Sequence, residues 1–315
     1  MSTPLVSILI PCFNAGRYIG ATLDSALSQT WPNTEVVVVD DGSTDESVKE
    51  IRRFSRAKLI LVEGTNKGAA AGRNKAFRRS SGALIQFLDA DDLLSPSKIE
   101  SQVLRLINNP RCVASSQWGR FYIRPEEAVF ETDKISEDLD ALDWLARSRA
   151  DGLGMMFPAL WLIPRAIAAE AGPWNESLSL ADDTEYFTRV VLRADGVLFS
   201  PNAKCYYRSG LAGSLSGRKS PSAWKSQFTV TKLCQQHVLT RENSERMRRG
   251  FALSWQHLAH ASYPYDRALA ECALAEARAL HPTSIEPDGG PTFRILSRLL
   301  GWRLARRLQV ASRRP

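Results

Sequence analysis

The first hundred residues alternate between short apolar runs and segments with helical spacing, and this alternation restricts the fold more than any other feature of the chain. Continuous apolar runs predict buried strands at residues 6–11, 35–39, 58–62 and 83–88. Helices are predicted over 16–30 and 69–80, and another after a cap at Ser43 or Thr44. Strands and helices that alternate over such short connections form parallel sheets covered by helices. We therefore predict an α/β fold.

Beyond residue 110 the pattern is mixed, and it becomes helical after about residue 216. Residues 112–118 and 119–123 are predicted to form an antiparallel pair, 159–163 a strand and 182–194 a helix. A Pro/Gly break follows at 287–291. The predicted domains are 1–215, with halves 1–100 and 101–215, then a helical extension over 216–290 and a basic amphipathic tail over 291–315.

Histidine and cysteine usage narrows the chemistry. The four histidines all follow residue 236, so the preceding chain has no imidazole for a catalytic triad or a metal site. Acid–base chemistry in that region has to come from carboxylates. The five cysteines are scattered, which favours reduced thiols and a cytoplasmic location over a disulfide framework or a zinc site.

The positive charge is concentrated at the end of the sequence. Residues 291–315 contain seven arginines and no acid, and the rest of the chain is balanced, with 34 basic and 34 acidic residues. This local bias argues against a nucleic-acid-binding body. On a single helix, Phe293, Leu296, Leu300, Leu304 and Leu308 share one face. The tail is predicted either to bind an anionic membrane surface or to pack on the body.

No apolar stretch reaches the roughly 18 to 20 residues of a membrane span. The first residues also lack the basic region of a signal peptide. We expect a cytoplasmic protein, held at the inner face of the cell membrane if the tail binds lipid.

Two acidic clusters follow predicted strands, where parallel sheets bind their ligands. In FLDADD, Asp89 and Asp91 point to the same side of an extended chain and can chelate a hard divalent cation. The alternative is that Asp91 or Asp92 caps a helix. In VVVVDDGST, a carboxylate can accept the imide N–H of a uracil or thymine ring, or it can simply stabilise a turn.

Two further motifs contain candidate binding and catalytic groups. The small residues of NKGAAAGRNKAF allow close backbone approach, and Arg73 can meet phosphate as a planar fork, or it is a solvated arginine. In ADDTEYFTRVV, Asp182 and Asp183 can stabilise the start of a helix by interacting with its dipole, or one of them can be a general base.

The order of these motifs closely resembles the nucleotide-binding half of the family 2 glycosyltransferases. The likeness is nearly continuous from residue 6 to 98 and persists through GPWNESL and ADDTEYFTRV to YYR at 206–208. It implies a GT-A type fold, a Rossmann-like mixed and mostly parallel sheet flanked by helices, here with a C-terminal helical extension. It also implies inverting transfer of a sugar from a nucleoside diphosphate sugar to a saccharide or lipid-linked acceptor, in cell-surface polysaccharide or glycolipid synthesis.

The resemblance also implies individual roles. Pro11, Phe13 and Asn14 would line the base and ribose site, and Asp41 would bind the base, with uridine the expected nucleoside. Arg73 would face the diphosphate. Asp89 would hold ribose or metal-bound water, Asp91 would ligate Mg²⁺ or Mn²⁺, and Asp183 would be the catalytic base. These eight positions are Pro11, Phe13, Asn14, Asp41, Arg73, Asp89, Asp91 and Asp183.

The sequence departs from the family pattern at two places. Asp182 stands where relatives usually carry Glu, and no histidine follows the Tyr-Arg strand. Arg208, Ser214 or Arg218 is expected to meet the phosphates instead. The alternative function is a catalytically silent relative that binds a nucleotide sugar or acts as a membrane-tethered scaffold.

Overall fold

The structure is a computed structural model that describes residues 3–54, 58–152, 156–211, 220–287 and 289–311. The chain forms two compact units. The first comprises Met1–Arg147, Met156–Leu178 and Asp182–Ser214, and the second comprises Ser148–Met155, Ser179–Ala181 and Leu215–Pro315.

The strands are β1 (Val6–Cys12), β2 (Thr34–Asp40), β3 (Leu59–Glu63), β4 (Leu84–Phe87), β5 (Leu93–Leu94), β6 (Val113–Phe121), β7 (Val129–Phe130), β8 (Leu139–Asp140), β9 (Ile163–Pro164) and β10 (Gly196–Arg208). The helices are α1 (Ile19–Leu27), α2 (Ser47–Arg52), α3 (Ala69–Arg79), α4 (Lys98–Leu106), α5 (Ala141–Ser148), α6 (Arg165–Ala171), α7 (Asp182–Arg193), α8 (Pro221–Arg241), α9 (Glu245–Ser262), α10 (Arg267–Leu280), α11 (Pro291–Leu300) and α12 (Trp302–Ala311).

The first unit contains a sheet in the order β3-β2-β1-β4-β9. The strands β3, β2, β1 and β4 are parallel, and β9 pairs with β4 in the antiparallel sense. The apolar side chains of β1 and β2 are almost fully buried, as continuous Val/Ile/Leu runs predict for strands covered on both faces. The predicted α/β fold, with a mostly parallel sheet and flanking helices, is confirmed.

A second sheet in the same unit has the order β5-β10-β6-β7. The predicted antiparallel pair over 112–123 is wrong, because residues 113–121 form one strand, β6, which runs parallel to β10. Gly119 does not mark a turn there. A Cβ at this position would lie 2.9 Å from the Cβ of Ala128, so glycine allows the β7 hairpin to close against β6. The predicted strand over 159–163 is reduced to β9 after a 3₁₀ turn at Pro158–Leu160.

The second unit is helical. Ser220, Ser244 and Asp266 cap α8, α9 and α10, and each side chain accepts a hydrogen bond from the N–H three residues later. Its core is formed mainly by aromatic and alanine side chains, namely Trp224, Ala252, Trp255, Leu258, Ala259, Tyr263, Ala270, Ala273 and Ala277.

The tail forms two helices, α11 and α12, where the sequence predicts one amphipathic helix. Gly301 lies between them with φ of 77°, a left-handed conformation that ends α11. Trp302 packs against the core of the helical unit, and Phe293 and Ala305 are buried. Within the described residues, none of the helices combines the length and the apolar character that crossing a membrane requires.

Candidate active site

The end of β1 is joined to the loop after β2 through Asn14. The Asn14 N–H donates to Ser43 Oγ at 2.9 Å, and the Thr44 N–H donates to Asn14 Oδ1 at 2.9 Å. Asn14 has a φ of 49°, which asparagine tolerates better than most residues. The predicted cap at Ser43 or Thr44 is therefore wrong, since both residues bind Asn14 and α2 begins only at Ser47. Phe13, which precedes Asn14, is 46% exposed.

The two carboxylates after β2 have different partners. Asp40 shapes the turn, because its Oδ2 accepts from the N–H groups of Gly42 and Ser43. Asp41 reaches across to the residues before α3 and accepts from the Lys67 N–H at 2.9 Å and the Gly68 N–H at 2.7 Å. Asp41 thus fixes the start of α3 beside the end of β2.

The helix α3 approaches the end of β1 closely. A Cβ at Gly72 would lie 3.1 Å from the Cβ of Pro11, so glycine permits this contact. The small residues of the motif therefore serve packing between α3 and β1. Pro11 is half-buried at this junction.

The acidic cluster after β4 forms a tight turn and does not cap a helix. The Asp92 N–H donates to the Asp89 carbonyl at 3.2 Å, and α4 begins only at Lys98, so the capping interpretation is wrong. Asp92 is buried, with Oδ1 accepting from the Arg208 N–H at 2.9 Å. Its Oδ2 has no hydrogen-bond partner among the described residues. Asp91 is half-buried.

Arg208 brings the Tyr-Arg strand against this turn. Its Nε donates to the Asp91 carbonyl at 2.9 Å, and its guanidinium lies over the rings of Tyr18 and Phe121. Of the three groups considered in place of the missing histidine, Arg208 therefore lies beside Asp91. Ser214 and Arg218 lie outside the described residues.

Arg73 joins the two halves of the candidate site within the first unit. It is only 5% exposed, and its terminal nitrogens donate to Asp89 Oδ1 at 2.7 Å and to Asp182 Oδ2 at 2.8 Å. The guanidinium carbon lies 4.4 Å from the centre of the Trp174 ring. Burial alone would lower the pKa of Arg73, but the carboxylates of Asp89 and Asp182 outweigh it and hold the pKa above its usual value.

Asp183 lies in the first turn of α7 and has the electrostatic environment of a base. Its Oδ1 accepts from the Thr184 N–H at 2.7 Å. Burial, with the Asp182 carboxylate as the second cause, raises the pKa of Asp183 to about 7, and Arg73 opposes the rise. A carboxyl that titrates near neutral pH can accept a proton and later release it.

The Asp89–Asp91 pair offers only oxygen donors, which suits Mg²⁺ or Mn²⁺. Burial, with the charge of Asp89 as the second cause, raises the pKa of Asp91 to about 6. In the part of the chain that the structure describes, no three His, Cys, Asp or Glu side chains gather as a complete metal site. The residues fit an ion that takes its remaining ligands from water and phosphate, as magnesium sites commonly do.

Three contributions to the site depend on contacts that the sequence does not show. The ion pair between Arg73 and Asp182 joins residues 109 positions apart, and no local pattern predicts it. Trp174 is buried beneath Arg73, and it stacks on Tyr186 with ring centres 4.1 Å apart. The buried carboxylate of Asp92 had one available signal, its place as the last acid of the DADD cluster.

Comparison with known proteins decides the family. The model of the family described as Glycosyl transferase family 2 matches residues 7–163, about half of the chain. The chain belongs to this family. The match includes the candidate nucleotide and metal residues, and Asp183 lies beyond it. The assignment of this family 2 glycosyltransferase's base therefore depends on the geometry of α7.

One similar relative is the Escherichia coli UDP-Glc:alpha-D-GlcNAc-diphosphoundecaprenol beta-1,3-glucosyltransferase WfgD. It is 39% identical over 110 residues, which cover 35% of this chain and 44% of WfgD. The chain spans less than half the length of each of the first curated relatives that it matches.

Two solved structures share the fold. S. aureus TarS 1–349 in complex with UDP-GlcNAc is 15% identical, with a TM-score of 0.65, over 98% of this chain and 92% of that one. The mannosyltransferase PcManGT from Pyrobaculum calidifontis, in complex with GDP-Man and Mn²⁺, is 20% identical, with a TM-score of 0.56, over 99% and 88%. At these identities the likeness supports the predicted GT-A type fold.

Proposed function

We propose that this family 2 glycosyltransferase transfers a sugar from a uridine diphosphate sugar to an acceptor hydroxyl, with inversion at the anomeric carbon. The observation that carries the proposal is the bridge made by Arg73. One buried guanidinium contacts Asp89 of the candidate donor site and Asp182, the neighbour of the candidate base. We assign the catalytic domain to residues 1–215, followed by a helical extension over 216–290 and a tail over 291–315.

Asp183 is the proposed catalytic base. With its pKa raised to about 7, a sizeable fraction of the carboxyl is ionised at neutral pH and can take the proton of the acceptor hydroxyl. The acceptor oxygen then bonds to the anomeric carbon as the bond to the diphosphate breaks on the opposite face. Attack from that face inverts the configuration, by the same geometric logic as inverting glycoside hydrolysis.

The proposed donor site lies at the ends of β1 and β2. Pro11, Phe13 and Asn14 would contact the base and ribose, and the exposed Phe13 ring offers a stacking face. Asp41 already accepts from two backbone N–H groups, and its remaining lone pairs are available to the imide N–H of a uracil ring.

The diphosphate site is proposed around Asp91, Asp89 and the two arginines. Mg²⁺ or Mn²⁺ held by these carboxylates would stabilise the charge that develops on the leaving diphosphate. Arg73 donates to Asp89 in this structure, so it would act on the diphosphate mainly by orienting that carboxylate. Arg208 is proposed as the cation that acts in place of the histidine carried by many relatives, because it contacts the Asp91 carbonyl.

The proposed acceptor is a saccharide, free or linked to a lipid diphosphate. The name of WfgD gives that relative a lipid diphosphate acceptor, which supports the same class of acceptor here. The proposal places the protein in the cytoplasm at the inner face of the cell membrane, in the synthesis of a cell-surface polysaccharide or glycolipid.

A nucleotide-sugar panel tests the proposal. Purified protein with Mn²⁺ is incubated with UDP-, GDP- and dTDP-sugars and a set of saccharide and lipid-diphosphate-saccharide acceptors, and release of the nucleoside diphosphate is measured. We expect acceptor-dependent release of UDP and a product of inverted anomeric configuration by NMR. Thermal stabilisation by a nucleotide sugar without turnover on any acceptor would instead indicate a catalytically silent relative.

A further inference from the structure

The two tail helices expose apolar side chains that the helical unit leaves uncovered. These side chains are between 44% and 74% exposed and comprise Ile295, Leu299, Leu300, Leu304 and Leu308. Within each helix the pairs are spaced four residues apart, as in Ile295 and Leu299 of α11 and Leu304 and Leu308 of α12. Each helix therefore presents an apolar row on its exposed side.

An arginine precedes four of these apolar residues in the sequence. Arg294, Arg298, Arg303 and Arg307 come directly before Ile295, Leu299, Leu304 and Leu308, respectively. Arg294 and Arg298 of α11 are both exposed beside its apolar row. Arg303 and Arg307 contact the helical unit, so we call Arg294 and Arg298, with the five exposed apolar residues, the outer tail face. The tail contains no acid to neutralise it.

The opposite side of the tail is fixed to the helical unit. The Trp302 ring packs against those of His260 and Tyr263, with centres 4.7 Å and 5.0 Å away. Arg303 forms an ion pair with Glu271 at 3.0 Å, and an Arg307 nitrogen donates to the Tyr263 hydroxyl at 2.8 Å.

The two helices are also joined to each other. The guanidinium carbon of Arg306 lies 4.2 Å from the centre of the buried Phe293 ring. The tail is thus held on one side while its other side is exposed. Packing on the body and binding an anionic membrane surface, the two predictions made from the sequence, are therefore compatible.

We propose that the outer tail face docks on the surface of an anionic lipid bilayer. Exposed leucines beside arginines are typical of helices that lie in the interface, where apolar side chains enter the acyl boundary and guanidinium groups remain among the headgroups. Arg294 and Arg298 form no ion pair with any described residue, which leaves their charge for lipid phosphates.

Charge decides between the possible occupants of this face. A second copy of the chain would place Arg294 and Arg298 against the same arginines of its partner, and these charges repel each other. A nucleic acid would neutralise the arginines but leave the apolar rows in water. An anionic bilayer both neutralises the arginines and buries the apolar side chains. This inference does not depend on the transfer reaction.

Co-sedimentation of the full chain with vesicles tests the proposal. One set of vesicles is phosphatidylcholine and the other contains phosphatidylglycerol as the anionic lipid. We expect sedimentation with the anionic vesicles, weaker at about 1 M salt than at about 0.1 M. Arg294→Gln with Arg298→Gln should weaken binding about thirtyfold, from about fivefold for each arginine. Leu299→Ser with Leu304→Ser should weaken it by on the order of tenfold or more.

Matched variants elsewhere control for general loss of charge or apolar surface. Arg78→Gln with Arg79→Gln removes two exposed arginines from the end of α3, and Leu104→Ser changes an exposed leucine of α4. Both should bind vesicles like the unchanged protein. Turnover of a soluble donor and acceptor, measured on the same samples, should be the same in every variant.

Three results would overturn the proposal. One is an unchanged protein that stays in the supernatant with anionic vesicles. Another is a pair of tail variants that both sediment as well as the unchanged protein does. The third is a concentration-dependent dimer, seen without lipid, that the leucine variant abolishes. Because the leucine and arginine variants change different exposed side chains, misfolding of one still leaves the other to decide.

Discussion

Asp182→Asn should lower the pH at which the enzyme loses activity in acid. In the proposed mechanism, activity requires an ionised Asp183, whose pKa burial and the Asp182 carboxylate raise to about 7. At pH 6 only about one tenth of that base is ionised, so kcat/KM should be about tenfold below its plateau. Asparagine keeps the shape of Asp182 and an oxygen that can accept from Arg73, so the change removes mainly charge.

The size of the shift follows from Coulomb's law. Two unit charges about 6 Å apart interact by about 3 kcal/mol at an effective dielectric constant of about 20. Solvent and Arg73 screen part of this, since the Arg73 guanidinium contacts Asp182 directly at 2.8 Å. We expect a downward shift of about one pH unit. At pH 6 the variant should then keep about half of its own plateau activity.

The assay is the pH profile of kcat/KM, measured as acceptor-dependent release of nucleoside diphosphate between about pH 5 and pH 9. Asp182→Glu is the matched control, because it restores the charge and should return the acid limb towards its original position. An acid limb that stays in place in Asp182→Asn, while Asp183 is still required, would refute the electrostatic reasoning. An acid limb that moves to higher pH would refute the predicted direction of the shift.

Three further predictions concern the metal site, recognition of the nucleotide base and a buried lysine. Asp91→Asn should abolish turnover in metal-replete buffer and remove the Mn²⁺ dependence of nucleotide binding, as measured by thermal shift. Uridine nucleotides should protect the protein from thermal unfolding more than adenosine nucleotides do, because adenine lacks the ring N–H that would donate to Asp41. Asp41→Asn should narrow this difference in thermal stabilisation. Lys98→Met should remove a rise in stability with pH that begins near pH 7. Burial lowers the pKa of Lys98 from 10.5 to about 7, so between these values the unfolded chain binds a proton that the folded chain does not.

Each of these predictions has an outcome that contradicts it. Normal activity of Asp91→Asn would remove the metal assignment. Equal protection by ADP and UDP would remove Asp41 from base recognition. For Lys98, the measurement is the difference in the free energy of unfolding between the variant and the unchanged protein at about pH 7 and about pH 9. A difference that does not change with pH would show that Lys98 is charged in the fold.

The parallel sheet was predictable because its strands carry their own signal. Val36 to Val39 form an unbroken β-branched run, and burial on both faces of a sheet explains such a run. The second sheet was not predictable in the same way. Its main pairing joins β6 to β10, and the register shifts between Ser200 and Lys204, so the partner and the alignment depend on tertiary packing.

The candidate site was predictable as a set of residues but not as an arrangement. Motif spacing indicated Asp89, Asp91 and Asp183 as carboxylates with chemical roles. Only the structure shows that Arg73 bonds to Asp89 and Asp182. A sequence gives the type of a charged side chain, but its partner depends on which elements the fold brings together.

The tail shows the same limit at one residue. Hydrophobic spacing predicts a continuous helix through residue 301, and the pattern of apolar residues continues on both sides of it. The left-handed backbone at Gly301 divides the tail into two helices. A single glycine is tolerated inside a helix, so its effect here could not be read from spacing.

The most direct test of the central claim is the reaction of Asp183→Asn. The measurement pairs the rate of acceptor-dependent release of the nucleoside diphosphate with the affinity for the donor, determined by titration on the same preparation. The account predicts a rate lower by about a hundredfold or more, the usual scale for loss of a general base, with donor affinity unchanged. A variant that transfers sugar at the original rate would contradict the account, and so would one that loses the donor together with the rate.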